Sequence, residues 1–481
     1  MDDINLPNST PYDTVAYPSA IFLQTHPNRL AVLARLHGLI PPDVETARVL
    51  EIGGGDGLNL IAMGAAFPHG KFLSFDLAPS AVKRGNDLAA LAGLDNVQVV
   101  VGDILDMHTR VAPASYDYII AHGVYAWVPE VVRGAIMKLL AHALSPHGVA
   151  FVSYNARPGG HLRMVMRDML LHELDGINGE ATRIAAARAF LGAYKIAQDG
   201  DDAVVTAMRK QAEAMFGRPD EVLFHDELGA VFAPQSLMEI NQIAAAHGLR
   251  YLNDAGTNRT HDGFLVPDKP SVPDAQTAVE RVAQSGDYAA MRFFRQNLYV
   301  RQENVPERRP NLAAMDALFV AGYFSPADDG GLRHGDDSFV LRDPALTAKL
   351  LELDTHWPRY VRCNTIFHSD THRSGLLDLW HKGLIFMSTT PERFATEVKP
   401  KPCASPLARA QATIEKGRIC TLSHELLVIQ DPVARTIIAA LDGQRDLDAL
   451  NAIWGSLPHH PDLELGDALK ALAAKRLLIR S

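Results

Sequence analysis

The chain has 481 residues, 47% of them hydrophobic and 21% charged, and its 46 Lys and Arg against 56 Asp and Glu leave a formal net charge of -10. That length predicts about three domains at roughly 150 residues each, with enough apolar side chain to bury a sizeable core. The acid excess argues against a nucleic-acid partner held by bulk electrostatics, and no run approaches the ~18 apolar residues of a membrane span.

The opening MDDINLPNST is acidic and polar, without an apolar signal segment. Cys363, Cys403 and Cys420 are far apart and form no zinc pattern, so free thiols in a reducing, cytoplasmic setting are expected. In Tyr12–Leu39, Leu30, Leu33 and Leu36 fall on one helical face, and Pro41-Pro42 separates this stretch from the first strand. Arg48–Asn59 (RVLEIGGGDGLN) is an apolar run ending in glycines at alternate positions, Gly53, Gly55 and Gly57, followed by a helical pattern over Leu58–Phe67. This is strand, tight turn, helix, the first crossover of a parallel sheet. Glycines serve where a ligand must reach main-chain N–H groups without meeting a Cβ. A P-loop would need Gly-Lys-Ser/Thr before the helix, and a dinucleotide fingerprint would need glycine where Leu58 stands.

Lys71–Leu77 reads as a second strand ending in Asp76, and Val97–Asp103 as a third ending in Gly102-Asp103-Ile104. Tyr116–Val124 and Gly148–Asn155 give strands four and five, with helices over Pro79–Ala92 and Pro129–Leu144. The alternation predicts a doubly wound α/β sheet whose ligand lies at the carboxyl ends of its strands.

The spacing E-x-G-x-G-x-G from Glu51, with acids after strands two and three, resembles the class I S-adenosyl-L-methionine (AdoMet) methyltransferases. The resemblance implies a Rossmann-like sheet with AdoMet as cofactor. Glu51, Gly53, Gly55, Gly57 and Asn59 would then surround its amino-acid end. Asp76, with Leu77, would take the ribose, and Asp103 and Ile104 the adenine. His122 and Gly123 would lie beside the methyl group. Tyr12, Tyr17 and Phe22 become lid candidates, with Tyr17 touching the cofactor. AHGVYAWVP places His122, Tyr125 and Trp127 near the sulfonium, and SYNARPGG (Ser153–Gly160) is a second active-site loop. The catalytic candidates are Tyr125, His122, Tyr154 and Asn155, polar groups that hold an amine without ionising. No metal is expected.

Arg163–Leu174, Thr182–Ala197 and Ala203–Phe216 read as a helical insertion, a candidate homodimer contact. Val231–Asp254 (helix, Gly248, short strand) reads as the closing unit of the sheet. HDEL at His225, HGLRYL and FFRQNLYVR (Phe293–Arg301) resemble the methyltransferase regulatory domain. AHGVYAWVP and SYNARPG resemble loops of bacterial protein-lysine methyltransferases, including rickettsial enzymes that methylate an outer-membrane protein. That resemblance implies a dimer and a protein lysine as acceptor. A methyltransferase acting on a natural product or a carboxylate, and a non-catalytic AdoMet-binding regulatory module, stand as alternatives.

Pro267–Pro273 is a linker, Thr277–Arg301 reads as helical, and Arg308-Arg309 is the basic cluster after it. ALFVAGYFSPADDG and DDSFVLRD suggest hairpin strands around an acidic turn, and Pro344–Leu353 and Ser374–Lys382 suggest helices. Such modules suggest α+β, winged-helix-like folds. The expected domains are 1–160 (methyltransferase core with lid), 161–218 (helical insertion), 219–302 (closure and regulatory domain), 303–400 (middle domain) and 401–481 (C-terminal domain). His424-Glu425 and His172-Glu173 lack the second histidine of a zinc protease motif. His368 and His372 read as a loop, His459-His460 as a solvated pair, and Asp328, Asp329, Asp336 and Asp337 as polar turn residues.

Overall fold

Seven strands form the central sheet of the computed structural model, which describes residues 11–196, 202–256, 275–307, 309–328, 330–414, 417–458 and 463–480. The linker 267–273, Arg308, Asp329 and His459-His460 lie outside the described residues. Strand order is β3-β2-β1-β4-β5-β7-β6. These are β1 Arg48–Ile52, β2 Lys71–Asp76, β3 Val97–Val101, β4 Tyr116–Ala121, β5 Leu144–Asn155, β6 Leu249–Asp254 and β7 Phe294–Arg301. The first five pair in parallel, Val49 against Phe72 and Tyr118, and Ile119 against Ala150. Their near-continuous apolar runs suit a sheet covered on both faces.

The region Thr277–Arg301, expected from its sequence to be one helix, divides. A helix covers Ala275–Ala289, and Phe294–Arg301 is instead β7, antiparallel to both β5 and β6. Aromatic and β-branched residues suit a half-buried pleat, and β7 fills the slot between β5 and the edge strand β6. Its place is set by pairing two strand edges that would otherwise be open. His372 likewise lies on a helix, Asp370–His381, capped by Ser369.

Helices Pro27–Leu36, Leu58–Ala66 and Pro79–Leu91 cover one face, with Leu30, Leu60 and Phe151 buried beneath them. Helices Glu130–Ala143 and Leu237–Ala246 cover the other, over Ile119, Val152 and Tyr154. Gly248, at φ +78°, ends the closing helix just before β6, as its sequence position predicts. Helices Gly160–Glu173, Glu180–Ile196 and Ala203–Phe216 carry a separate small core around Met166, Leu191, Met208 and Met215.

Beyond the sheet, β8 Phe319–Ala321, β12 Val361–Arg362 and β13 Phe386–Ser388 form one small sheet. Strands β9 Ser325–Pro326, β10 Leu332–His334 and β11 Asp337–Phe339 form another. In the C-terminal domain a hairpin of β14 Arg418–Cys420 and β15 Leu426–Val428 stands among helices Pro406–Ala412, Pro432–Ala440, Leu447–Gly455 and Leu465–Ala474. Helix Pro406–Ala412 packs on helices Leu58–Ala66 and Pro79–Leu91, which brings this domain beside the glycine turn.

Candidate active site

Two kinds of glycine meet at the carboxyl end of the sheet. A Cβ on Gly53 would lie 2.6 Å from a Val124 methyl, and one on Gly57 2.8 Å from a Val99 methyl, so packing alone excludes a side chain there. A Cβ on Gly55, or on Gly123 after β4, would meet nothing within 4 Å. Both have left-handed backbone, φ +60° and +70°. Open space over exposed main chain at these two points, between the ends of β1 and β4, is what a ligand lying across the strand ends requires.

Carboxylates flank that space. Asp76 accepts from the Gly55 N–H at 2.8 Å and the Ala78 N–H at 3.0 Å. Burial raises its pKa, and the backbone amides oppose the rise. A carboxylate has about four acceptor sites, so capacity remains for a pair of ribose hydroxyls. Asp103 caps helix Ile104–Arg110 through the Leu105 N–H at 2.9 Å, using one oxygen. Ile104 is buried beside it, while Leu77 is partly exposed. The residues present fit an adenosyl group.

Beneath the turn, Glu51 is buried and held by Asn59 Nδ2 at 2.7 Å. Burial pushes its carboxyl up to about 7. Glu51 and Asn59 thus bond to each other beside the glycine bend, where a Cβ on Gly54 would lie 2.6 Å from Glu51 Oε2.

A strap formed by residues 12–25 crosses the strand ends. Asp13 accepts from the Ser80 N–H at 3.0 Å, and the Tyr12 ring stacks on His225 at 4.1 Å. The Tyr17 hydroxyl reaches Asp226 at 3.4 Å, and Ser19 bonds Asp56. The Phe22 N–H donates to Asn59 Oδ1 at 3.0 Å, and the Phe22 ring meets the His122 ring edge-on at 4.0 Å. Tyr12, Tyr17 and Phe22 thus all sit on the strap, and Tyr17 is engaged with the helical region through Asp226.

On the β4–β5 side, His122 Nδ1 lies 2.8 Å from Ser153 Oγ, which also accepts from the Gly123 N–H at 2.8 Å. The imidazole is packed by Phe22, Phe151 and Phe294, and burial lowers its pKa to about 4, so it is neutral throughout the physiological range. Asn155 lies on the same face of β5 as Ser153, by strand alternation. Tyr154 points to the opposite face. Its hydroxyl accepts from Asn297 Nδ2 at 3.2 Å within a sealed core that includes Tyr299 and Arg295. Tyr125 is fully buried, its ring 6.4 Å from Tyr154, and its hydroxyl has no hydrogen-bond partner among the described residues. Trp127 turns toward the insertion, 4.8 Å from the Phe232 ring and under the Arg163 guanidinium at 4.9 Å.

Gly55, Asp76, Asp103, Gly123, His122 and Asn155 thus all stand at or just beyond the carboxyl ends of the strands, whereas Tyr154 and Trp127 lie in packed surroundings. Ser153 and Phe22's contact with His122 were not assigned from the sequence. Alternation along SYN would have placed Ser153 with Asn155; nothing local announced the strap's register.

A family model described as a methyltransferase domain matches residues 43–176, a predicted methyltransferase regulatory domain matches 219–301, and a PKMT C-terminal winged helix domain matches 400–473. Two uncharacterized proteins of Rickettsia prowazekii (strain Madrid E) are each 31% identical. One aligns over 60% of this chain and 52% of its own length, the other over 47% and 89%. The chain thus spans only about half the length of the first of these relatives. A solved structure of PKMT2 from Rickettsia typhi in complex with AdoHcy is similar in fold, with TM-score 0.78 and 21% identity, covering 96% of this chain and 100% of that one.

Proposed function

Since the chain belongs to the AdoMet-dependent methyltransferases that carry a regulatory domain and a PKMT winged-helix domain, we propose that it transfers the AdoMet methyl group to a protein lysine amine. One observation carries the site assignment: open main chain at Gly55 and Gly123 lies between Asp76, Asp103 and a neutral His122 at one end of the sheet.

AdoMet, when bound, supplies an electrophilic sulfonium methyl. Asp76 would hold the ribose and Asp103 with Ile104 the adenine, while Gly55 and Gly123 leave their main chain approachable. In-line attack makes positioning the dominant contribution. A lysine amine, with an ordinary pKa of about 10.4, must arrive neutral, and desolvation together with the positive charge of a bound sulfonium would favour that form. His122 suits that need because burial keeps it uncharged and Ser153 fixes its ring, leaving Nε2 as its second polar atom. Asn155 adds an amide on the same face. Tyr125 offers a buried hydroxyl with unused bonding capacity. Tyr154 is assigned to the core that supports them.

A protein acceptor is supported by the winged-helix match, whose description names PKMT. The test is transfer of label from methyl-tritiated AdoMet into lysate protein, followed by amino-acid analysis. Methyllysine from the wild type and none from Gly55→Arg is expected. Label in a base-labile ester or a small molecule would overturn the lysine reading, and no transfer at all would leave an AdoMet-binding module.

We further propose a homodimer through the helical insertion, where Val204 is exposed at the start of helix Ala203–Phe216. Sedimentation equilibrium of the wild type and Val204→Glu tests it; a wild-type monomer refutes it. Three free cysteines, two of them buried, suit a reducing cytoplasmic setting, and no helix of the described residues is long and apolar enough to cross a membrane. Cell fractionation that recovers the protein outside the cytoplasm would refute the location. Its acid excess favours a partner other than nucleic acid, and a shift with bare duplex DNA at physiological salt would count against that.

A further inference from the structure

Asn59 has four hydrogen bonds, and they lead to three separate parts of the chain. Its Nδ2 donates to Glu51 Oε1 at 2.7 Å, under the glycine turn, and to Thr25 Oγ1 at 3.0 Å, on the strap. Its Oδ1 accepts from the Phe22 N–H at 3.0 Å and from His424 Nε2 at 2.9 Å. Phe22 supplies a backbone donor, which fixes the amide's orientation, so His424 must donate from a protonated Nε2. Both donors and both lone pairs of Asn59 are then used.

His424 lies 365 residues from Asn59, in the turn joining β14 to β15 of the C-terminal domain. It is 5% exposed and has φ +61°, a left-handed conformation uncommon for any residue but glycine. The turn therefore bears local strain to deliver this imidazole into the base of the cofactor site. Two further contacts hold the hairpin there. Arg418 donates to the Ser19 carbonyl at 3.1 Å on the strap, and the His424 ring lies 5.1 Å from His26, which begins helix Pro27–Leu36.

We propose that the hairpin turn of the C-terminal domain is a working part of the AdoMet site, with His424 as a positioning residue that sets Asn59 and through it both the glycine turn and the strap. The inference rests on the cofactor reading under the proposed function and adds regulation to it. Whatever displaces the hairpin, such as a partner protein engaging the C-terminal domain, releases the strap and weakens AdoMet. By linkage, bound AdoMet holds the hairpin in place to the same degree.

Calorimetric titration of AdoMet into the full chain tests this with wild type, His424→Leu and His424→Gln. Both substitutions bear the same left-handed backbone cost, so their difference isolates the hydrogen bond. Leucine leaves one of the two lone pairs of this buried acceptor without a donor and is expected to weaken AdoMet roughly tenfold, while glutamine, which can donate to Asn59, recovers most of the loss. In turnover assays the KM for AdoMet rises more than kcat falls; a merely structural loss would lower kcat alone by shrinking the folded fraction. Hydrogen exchange on the wild type needs no variant: AdoMet should slow exchange at residues 421–428 as well as 12–25. Wild-type AdoMet affinity in His424→Leu, or protection confined to the strap, overturns the proposal. A wild-type chain that binds no AdoMet at all overturns the cofactor reading itself, a distinct result.

Discussion

The two halves of the cleft are built by different means. On the β1–β3 side the chemistry is carried by backbone and by residues at strand tips: Gly55 with open space above it, Asp76 bonded to that glycine's N–H, and Asp103 capping the next helix. Each depends on neighbours a few residues or one strand away. On the β4–β5 side, His122 takes its environment from Ser153, Phe22 and Phe294, which arrive from β5, the strap and β7. In the proposed reading the first half would hold a cofactor common to many enzymes, and local geometry suffices. The second would face the acceptor, where the ring orientation and charge state of one side chain must be tuned by several segments.

The largest effect expected from this contrast is at Gly55. Gly55→Arg fills the open space without a core clash, so AdoMet affinity should fall by about a hundredfold or more while the fold costs only ~1 kcal/mol for the left-handed backbone. Calorimetry and thermal unfolding check it. An arginine variant that binds AdoMet normally would place the cofactor elsewhere. Next comes His122→Ala, expected to lower kcat by about a hundredfold, within the ordinary range for a positioned group at a reacting centre, with AdoMet affinity changed by less than about threefold. Equal losses in both would move His122 to the cofactor half.

Stability against acid sharpens the same contrast. Burial lowers the pKa of His122 and of His26 from 6.5 to about 4, and that of His424 in the same direction. Held neutral in the fold, His122 and His26 contribute stability that is complete above pH 6.5 and is lost as pH falls through about 4. Each of the two adds a slope of about 1.4 kcal/mol per pH unit in that window, and His424 acts in the same direction. Glu51 has the opposite sign: its carboxyl, raised from 4.5 to about 7, contributes stability that is full below 4.5 and lost as pH rises through about 7. Denaturant midpoints measured from pH 4 to 8 should therefore fall steeply on the acid side, and His122→Asn should remove one proton's share of that slope. A slope unchanged in the variant would contradict the buried neutral imidazole.

The smallest effects separate the two tyrosines. Tyr154→Phe deprives Asn297 of an acceptor in the sealed core and should cost about 1 kcal/mol in stability, with turnover within about twofold. Tyr125→Phe removes a hydroxyl that has no partner among the described residues, so stability should hold or rise while turnover falls. A Tyr154→Phe enzyme that is stable but slow would return that residue to the acceptor site.

How far the sequence reached obeys the same division. The glycine spacing and the acids after two strands announced the cofactor half because a strand–turn–helix crossover has local rules. β7 escaped, since Phe294–Arg301 has no turn signal ahead of it and its antiparallel place is set by the two strands it joins. Tyr154 drew attention as a polar aromatic at a strand tip, yet one residue of register sends it to the other face of the sheet. His424 resembled only a failed metal motif, because its partner Asn59 stands at the far end of the chain.

A crystal structure of the full chain with S-adenosylhomocysteine bears most directly on the central claim. The account predicts the ligand over Gly55 and Gly123, its ribose hydroxyls on Asp76, its adenine amine toward Asp103, and the strap closed across it. A ligand found elsewhere, with Asp76 and Asp103 making no contact to it, would contradict the account.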